Sequence, residues 1–253
     1  MENVKYTIAE TFELPSKGEI YGSKFDAHVK LKSMTLRDEM KRTSQNATPH
    51  RNLCEIIDGC LLTKLPLSCY DLCIGDYEFL LHKLRIVTYG PEYKMVIGCP
   101  HCTSVHEQSV DLDSLMVKEF TLEDLEQALN FKLPVCGREI KLKLQTPRIL
   151  DSIDSKTKEL KKKNKLDYDP TALVTLQETI DLVDGSKLGY IELENFINQL
   201  GAKDANFILN KIAKSNSLIG IDTSLDVTCS NCGGDIKTFF RFGPEFFRPS
   251  ENE

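Results

Sequence analysis

Apolar and polar residues alternate with a period of two through YTIAETFEL (6–14) and again through DAHVKLKSM (26–34), the spacing of half-buried strands. Between them the Pro15-Ser16-Lys17-Gly18 turn and EIYG complete a small β-unit. The period then lengthens. Thr35 with Asp38 three residues on is a capping pattern that opens a helix at TLRDEMKRTS. HRNLCEIIDGCLL (50–62) places Leu53, Ile56, Ile57 and Cys60 on one helical face. Ser68 and Asp71 form a second cap, and residues 76–89 carry the broad apolar face of Phe79, Leu80, Leu84 and Val87, ended by Gly90-Pro91.

A helical block follows after residue 119. TLEDLEQALNF is a capped helix, and KLPVCGREIKLKL is a hairpin turning near Gly137. A helix from Thr146-Pro147 runs into SKTKELKKKNK. DPTALVTLQETIDLVDG reads as one further helix, with Pro170 near its start and Gly185 past its end. IELENFINQLG and KDANFILNKIAKSN complete the set. The fold class predicted is therefore α+β. It comprises an N-terminal β-unit plus helices (1–95), a ribbon and C-terminal aromatic tail (96–118 and 222–253), and an inserted, mainly helical domain (119–221).

Two short stretches carry the candidate chemistry. VIGCPHCTSVH holds Cys99 and Cys102, and DVTCSNCGGDIKTFFRF holds Cys229 and Cys232, each pair spaced C-x-x-C. Four thiolates match tetrahedral zinc. C-x-x-C aims two sulfurs at one point from a tight turn, and a Gly after the second Cys supplies the positive φ such a turn favours. Gly233 and Gly234 meet that need in the second pair, whereas Thr103 in the first does not. CPHC is also a disulfide-oxidoreductase sequence, but there it opens a helix whose dipole lowers the first thiol's pKa. Here both pairs are flanked by strand-like runs, which predicts two knuckles at hairpin tips gripping one metal. Four unrelated core cysteines are the plainer alternative, and an iron site of the rubredoxin kind would use the same ligands. His101 and His106 could substitute as ligands but read first as solvated knuckle histidines, and Cys54, Cys60, Cys69, Cys73 and Cys136 read as core. Such a zinc would be a structural staple: loop-closure cost grows only logarithmically with length, while structural zinc contributes on the order of 10 kcal/mol in small peptides.

Composition narrows the function classes. With 41% hydrophobic and 28% charged residues in 253, this is an ordinary globular chain able to bury a core. The net charge of −6 argues against bulk attraction to nucleic acid or anionic membrane. No apolar run is long enough to span a bilayer, and the N-terminal stretch does not read as a signal peptide, so the nine cysteines are expected as thiols or metal ligands. The Lys-rich stretch 156–165 lacks interleaved aromatics and reads as a solvated helix end. No nucleotide-binding, metalloprotease or nucleophile-elbow motif is present, and a four-cysteine site leaves no open metal position, so an enzyme is not predicted. A zinc-ribbon nucleic-acid binder is the alternative. The acidic residues Asp111, Asp113 and Asp235 beside the hairpins argue against it. The tail FFRFGPEFFRPSENE holds five of the twelve Phe. Phe246, Phe247 and Arg248, between a Gly-Pro and an acidic end, read as a partner-docking segment that a local core has trouble accommodating.

Leu14 to Gly18, the DLCIGDYEFLLHKLRIVTYG helix, the two cysteine pairs and FGPEFFRP occur in an order that resembles the baseplate hub and hub-assembly proteins of contractile-tailed bacteriophages. That resemblance implies a non-enzymatic protein made in the host cytoplasm. It would build the baseplate with other hub proteins, as a lasting virion component or a factor that departs. Only the cysteines carry over as a site, and the inserted block contributes little to the likeness.

Overall fold

In this computed structural model the described residues are 7–22, 25–44, 48–164, 168–240, 242 and 244–247. Strand β1 (Ala9–Glu13) pairs antiparallel with β2 (His28–Lys32), Ala9 opposite Lys32. The alternation in β2 drives Val29 and Leu31 fully into the core while His28 and Lys30 face water. EIY forms a single 3-10 turn (Glu19–Tyr21) rather than strand. Its Tyr21 hydroxyl and the Ser16 N–H both donate to the buried Asp76 carboxylate, at 2.8 and 2.9 Å, which fixes the connection between the strands.

Helix α1 (Leu36–Arg42) begins at the expected cap: the Asp38 carboxylate accepts from the Thr35 N–H at 2.9 Å. Helix α2 (Pro49–Cys60) and helix α3 (Ile74–Tyr89) follow. Along α3 the buried residues run almost all round, from Gly75 to Val87, so it is the axis of the main core rather than a surface helix. A Cβ on Gly75 would lie 2.3 Å from the Ile219 carbonyl oxygen, so only glycine admits this backbone approach. Leu14, Val29, Leu31, Ile57, Leu80, Leu84 and Leu112 fill the core around α3.

A second core gathers buried residues from Leu133 to Ile212, within a run of helices and short strands. That run is α4 (Leu122–Leu129), β5 (Asn130–Lys132), β6 (Glu139–Leu142), α5 (Pro147–Asn164), α6 (Thr171–Thr179), β7 (Ile180–Val183), α7 (Tyr190–Gln199) and α8 (Ala202–Leu218). The helix expected through DPTALVTLQETIDLVDG stops at Thr179. Ile180–Val183 instead adds a third strand beside β6, with Val183 opposite Ile140. The reason is packing: Ile180 and Val183 join Ile140, Leu142, Ile208 and Ile212 in this core, and a β-branched segment fits that sheet face.

The second core is tied to the first by carboxylates. Asp151 on α5, buried, accepts from the His50 and Arg51 backbone N–H groups at 3.2 and 2.9 Å and from the Tyr70 hydroxyl at 3.1 Å. It caps α2 from 100 residues away, at a helix start where Thr48 supplies no side-chain cap. Arg148 adds a two-pronged ion pair with Asp71 at 2.7 and 2.9 Å. No helix among the described residues is long and apolar enough to cross a membrane.

The C-terminal tail corrects one expectation. Phe246 and Phe247 are 1% and 3% exposed, packed into the main core rather than projecting from it. Phe240, Phe242 and Phe246 stack edge-on with centroids 5.1–5.2 Å apart, and Tyr93 meets Phe240 at 5.3 Å. The Phe246 carbonyl accepts from Nε of the buried Arg85 at 3.1 Å. Room exists because the tail's rings make their own core layer over α3. Arg248 lies outside the described residues.

Candidate metal centre

Strand β3 (Glu92–Gly98) pairs with β4 (Val105–Asp111), Gly98 opposite Val105, and the Cys99–Cys102 turn closes that hairpin. Strand β8 (Ser224–Thr228) pairs with β9 (Asp235–Phe239), Thr228 opposite Asp235, and Cys229–Cys232 closes the second. Both pairs thus sit at hairpin tips. No helix begins at either, so neither thiol receives the helix-dipole activation of a thioredoxin-type centre.

The two turns repeat one hydrogen-bond pattern. In the first, the Cys99 N–H donates to the Ser104 carbonyl at 2.8 Å and the Thr103 N–H to the Cys99 carbonyl at 3.0 Å. In the second, Cys229 N–H reaches Gly234 O and Gly233 N–H reaches Cys229 O, both at 2.9 Å. Thr103 carries φ 58° where Gly233 carries φ 70°. The first turn therefore takes the glycine-like conformation with a β-branched residue.

The loops bring all four sulfurs within 4.8 Å of one another. Cys99 Sγ lies 3.7 Å from Cys232 Sγ, and Cys102 Sγ lies 3.7 Å from Cys229 Sγ. A tetrahedron with metal–sulfur bonds near 2.3 Å has edges of about 3.8 Å, so the cluster has the dimensions of a tetrathiolate site. These separations are far longer than a disulfide bond of about 2.05 Å. Cys99 and Cys229 are buried with Ile97 and Ile236 in a small core of their own, while Cys232 faces water.

Neighbouring donors favour thiolates. The Ser104 hydroxyl and backbone N–H, then the Asn231 amide, pull the Cys102 thiol down to about 5. Its Sγ lies 3.0 Å from Ser104 Oγ and 3.5 Å from Asn231 Nδ2. Ser104 also lowers Cys229. The Gly234 N–H favours the Cys232 thiolate too, yet the surrounding sulfurs and burial outweigh it and push that thiol up to about 12. Four sulfurs this close cannot all ionise without a cation between them. A soft divalent metal would supply that cation, and the four residues present fit one.

His101 is not among the four. Its Nε2 lies 3.0 Å from the Asp235 carbonyl oxygen, so the first knuckle reaches across to the second through an imidazole. The sequence presents this residue as a solvated histidine, and it is exposed, yet its ring bridges the two hairpin tips. Ser104 and Asn231 carry no motif, and their positions beside the cysteines are the one sequence signal of their contacts with Cys102 Sγ. Cys54, Cys60, Cys69 and Cys73 are buried as expected. Cys136 is exposed, because it occupies the turn after β5, where the Asp204 carboxylate takes the Val135 and Cys136 N–H groups at 2.9 Å.

No curated protein and no solved structure matches this chain. A family model described as T4 bacteriophage base plate protein matches residues 5–248, through both hairpins, the helical block between them and the aromatic tail. The chain belongs to the T4 bacteriophage base plate protein family.

Proposed function

We propose that this chain is a non-enzymatic structural or assembly protein of the baseplate hub, held by a structural zinc and binding other baseplate subunits. The observation that carries the reading is the convergence of Cys99, Cys102, Cys229 and Cys232 at tetrathiolate spacing within a base plate family chain. On this reading residues 96–118 and 222–253 supply one split ribbon and the aromatic tail, and the ion closes the ribbon at the point where the chain leaves for, and returns from, the 119–221 block. The four protein ligands saturate the ion, so its contribution is mechanical. It acts in the host cytoplasm during assembly and in the tail if the protein stays there.

Metal analysis by mass spectrometry, with a thiol count before and after chelation, tests the staple. One zinc per chain and four thiols released by chelator are expected; a metal-free protein with four freely titrating thiols overturns it, and iron in place of zinc corrects the metal alone. Size-exclusion chromatography of the zinc-loaded chain with the purified baseplate proteins of the same phage tests the assembly role. Co-elution with at least one is expected, and separate elution from all of them removes it.

A further inference from the structure

Four thiolates on one divalent ion leave a site net negative, and hydrogen bonds from surrounding groups disperse that charge. Around this sulfur cluster the donors are unevenly placed. The His101 backbone N–H points at Cys99 Sγ from 3.4 Å, within its own turn. Asn231 reaches across from the second knuckle, its Nδ2 3.5 Å from Cys102 Sγ. Ser104 is placed differently from both. Its Oγ lies 3.0 Å from Cys102 Sγ in its own knuckle and 3.5 Å from Cys229 Sγ in the other. One hydroxyl thus stands against a sulfur from each half of the site.

The loop holds that hydroxyl in place. The Ser104 carbonyl accepts the Cys99 N–H at 2.8 Å, which closes the turn, and β4 begins at the next residue. The side chain is half-buried. A metal-bound thiolate carries no proton and can only accept, so the hydroxyl is the donor to both sulfurs. One O–H proton shared by two acceptors makes a three-centre bond, weighted towards the nearer Cys102. Removing it takes a charge-assisted donor from both knuckles at once.

We infer that Ser104 is a positioning residue for the metal: its hydroxyl binds Cys102 and Cys229 from between the knuckles and sets how tightly the ion is retained. The inference rests on the metal reading above and names a side chain outside the four ligands that governs it.

The test titrates zinc into the full chain against a chromophoric chelator and records the sulfur-to-metal charge-transfer bands of the cobalt(II)-loaded protein. Ser104→Ala should bind zinc about 10–100-fold more weakly than the wild type. Its cobalt bands should move to longer wavelength, because a sulfur that loses a hydrogen bond gives up an electron more easily. Ser104→Thr keeps the hydroxyl and should restore both readouts. Ser109→Ala removes a hydroxyl from the same hairpin, one bonded to Glu92 at 3.0 Å, and should change neither. Zinc held as tightly by Ser104→Ala as by the wild type would overturn the proposal. So would weaker binding with unmoved bands, or a failure of Ser104→Thr to restore it, since a general loosening of the loop produces both. If Ser104→Ala does not fold, a crystal structure of the zinc-loaded wild type decides. Oγ at hydrogen-bond distance from both sulfurs upholds the proposal, and a hydroxyl turned away overturns it. A wild-type chain that takes up no metal removes the zinc reading together with this one. A zinc-binding wild type matched by Ser104→Ala removes this one alone.

Discussion

The turns PHCTS and SNCGG share the cysteine and little else, yet they close the same loop. Each has a cysteine N–H bonded to the carbonyl five residues on, and each places the residue after its second cysteine at positive φ. One does so with Gly233, the other with Thr103. A β-branched residue in the left-handed region costs roughly 1–2 kcal/mol, and the Thr103 hydroxyl offsets part of it by donating to the Cys102 carbonyl at 2.7 Å. The difference teaches that the sulfur cluster sets the loop and the glycines only ease it. A strained residue persists where the surrounding structure over-determines it.

The largest effect expected of any change is on the sulfurs themselves. Cys99→Ser and Cys229→Ser should each abolish metal uptake and lower thermal stability, because a three-sulfur site loses much of a contribution on the order of 10 kcal/mol. The two knuckles should respond alike, since each offers one buried sulfur to the same small core. Metal content and a melting curve on both variants make the comparison. If one variant kept its metal and melted like the parent, the hairpins would not be halves of one site.

A smaller effect separates the knuckles. A Cβ on Gly234 would lie 2.7 Å from Cδ2 of His101, so Gly234→Ala must push the imidazole away from the Asp235 carbonyl. A loss of about 1–3 kcal/mol is expected from this overpacking. His101→Ala alone should cost about 1 kcal/mol for one hydrogen bond at an exposed site. Together the two should cost less than their sum, because His101→Ala vacates the space the new methyl needs. Strict additivity in a double-mutant cycle of thermal melts would show that the imidazole does not pack on the second knuckle.

The convergence of the four cysteines was the most legible feature of the molecule, because C-x-x-C twice is a chemical pattern that needs no neighbours to interpret. Helices α1, α2, α3 and α8 were legible from caps and period for a similar, local reason. What stayed hidden depends on distant residues. Asp151 reads as an ordinary helical aspartate, and only the fold shows that it caps α2 from 100 positions away. Residues 180–183 follow a helix without a break in sequence and become strand because β6 lies alongside. Phe246 and Phe247 looked surplus to any local core. Their burial depends on α3 and on a carbonyl held by Arg85, 161 residues earlier in the chain.

The smallest expected effect is the sharpest on the comparison. Gly233→Ala and Thr103→Gly exchange the chemistry of the two φ-positive positions in opposite directions. Nothing lies within 4 Å of a Cβ built on Gly233, so Gly233→Ala meets backbone strain alone and should cost roughly 1–2 kcal/mol. Thr103→Gly relieves the same strain but loses the hydroxyl bond to Cys102 O and gains unfolded-chain entropy of about 0.5–1 kcal/mol. The net should be a stabilisation of no more than about 1 kcal/mol, or a rise in melting temperature of about 2–4 °C for a chain near this size. Metal content should not change in either variant, because the sulfurs stay in place. A melting temperature that fell on Thr103→Gly would mean that the hydroxyl outweighs the strain. The first knuckle would then be held by its own side chain rather than by the cluster that it shares with the second.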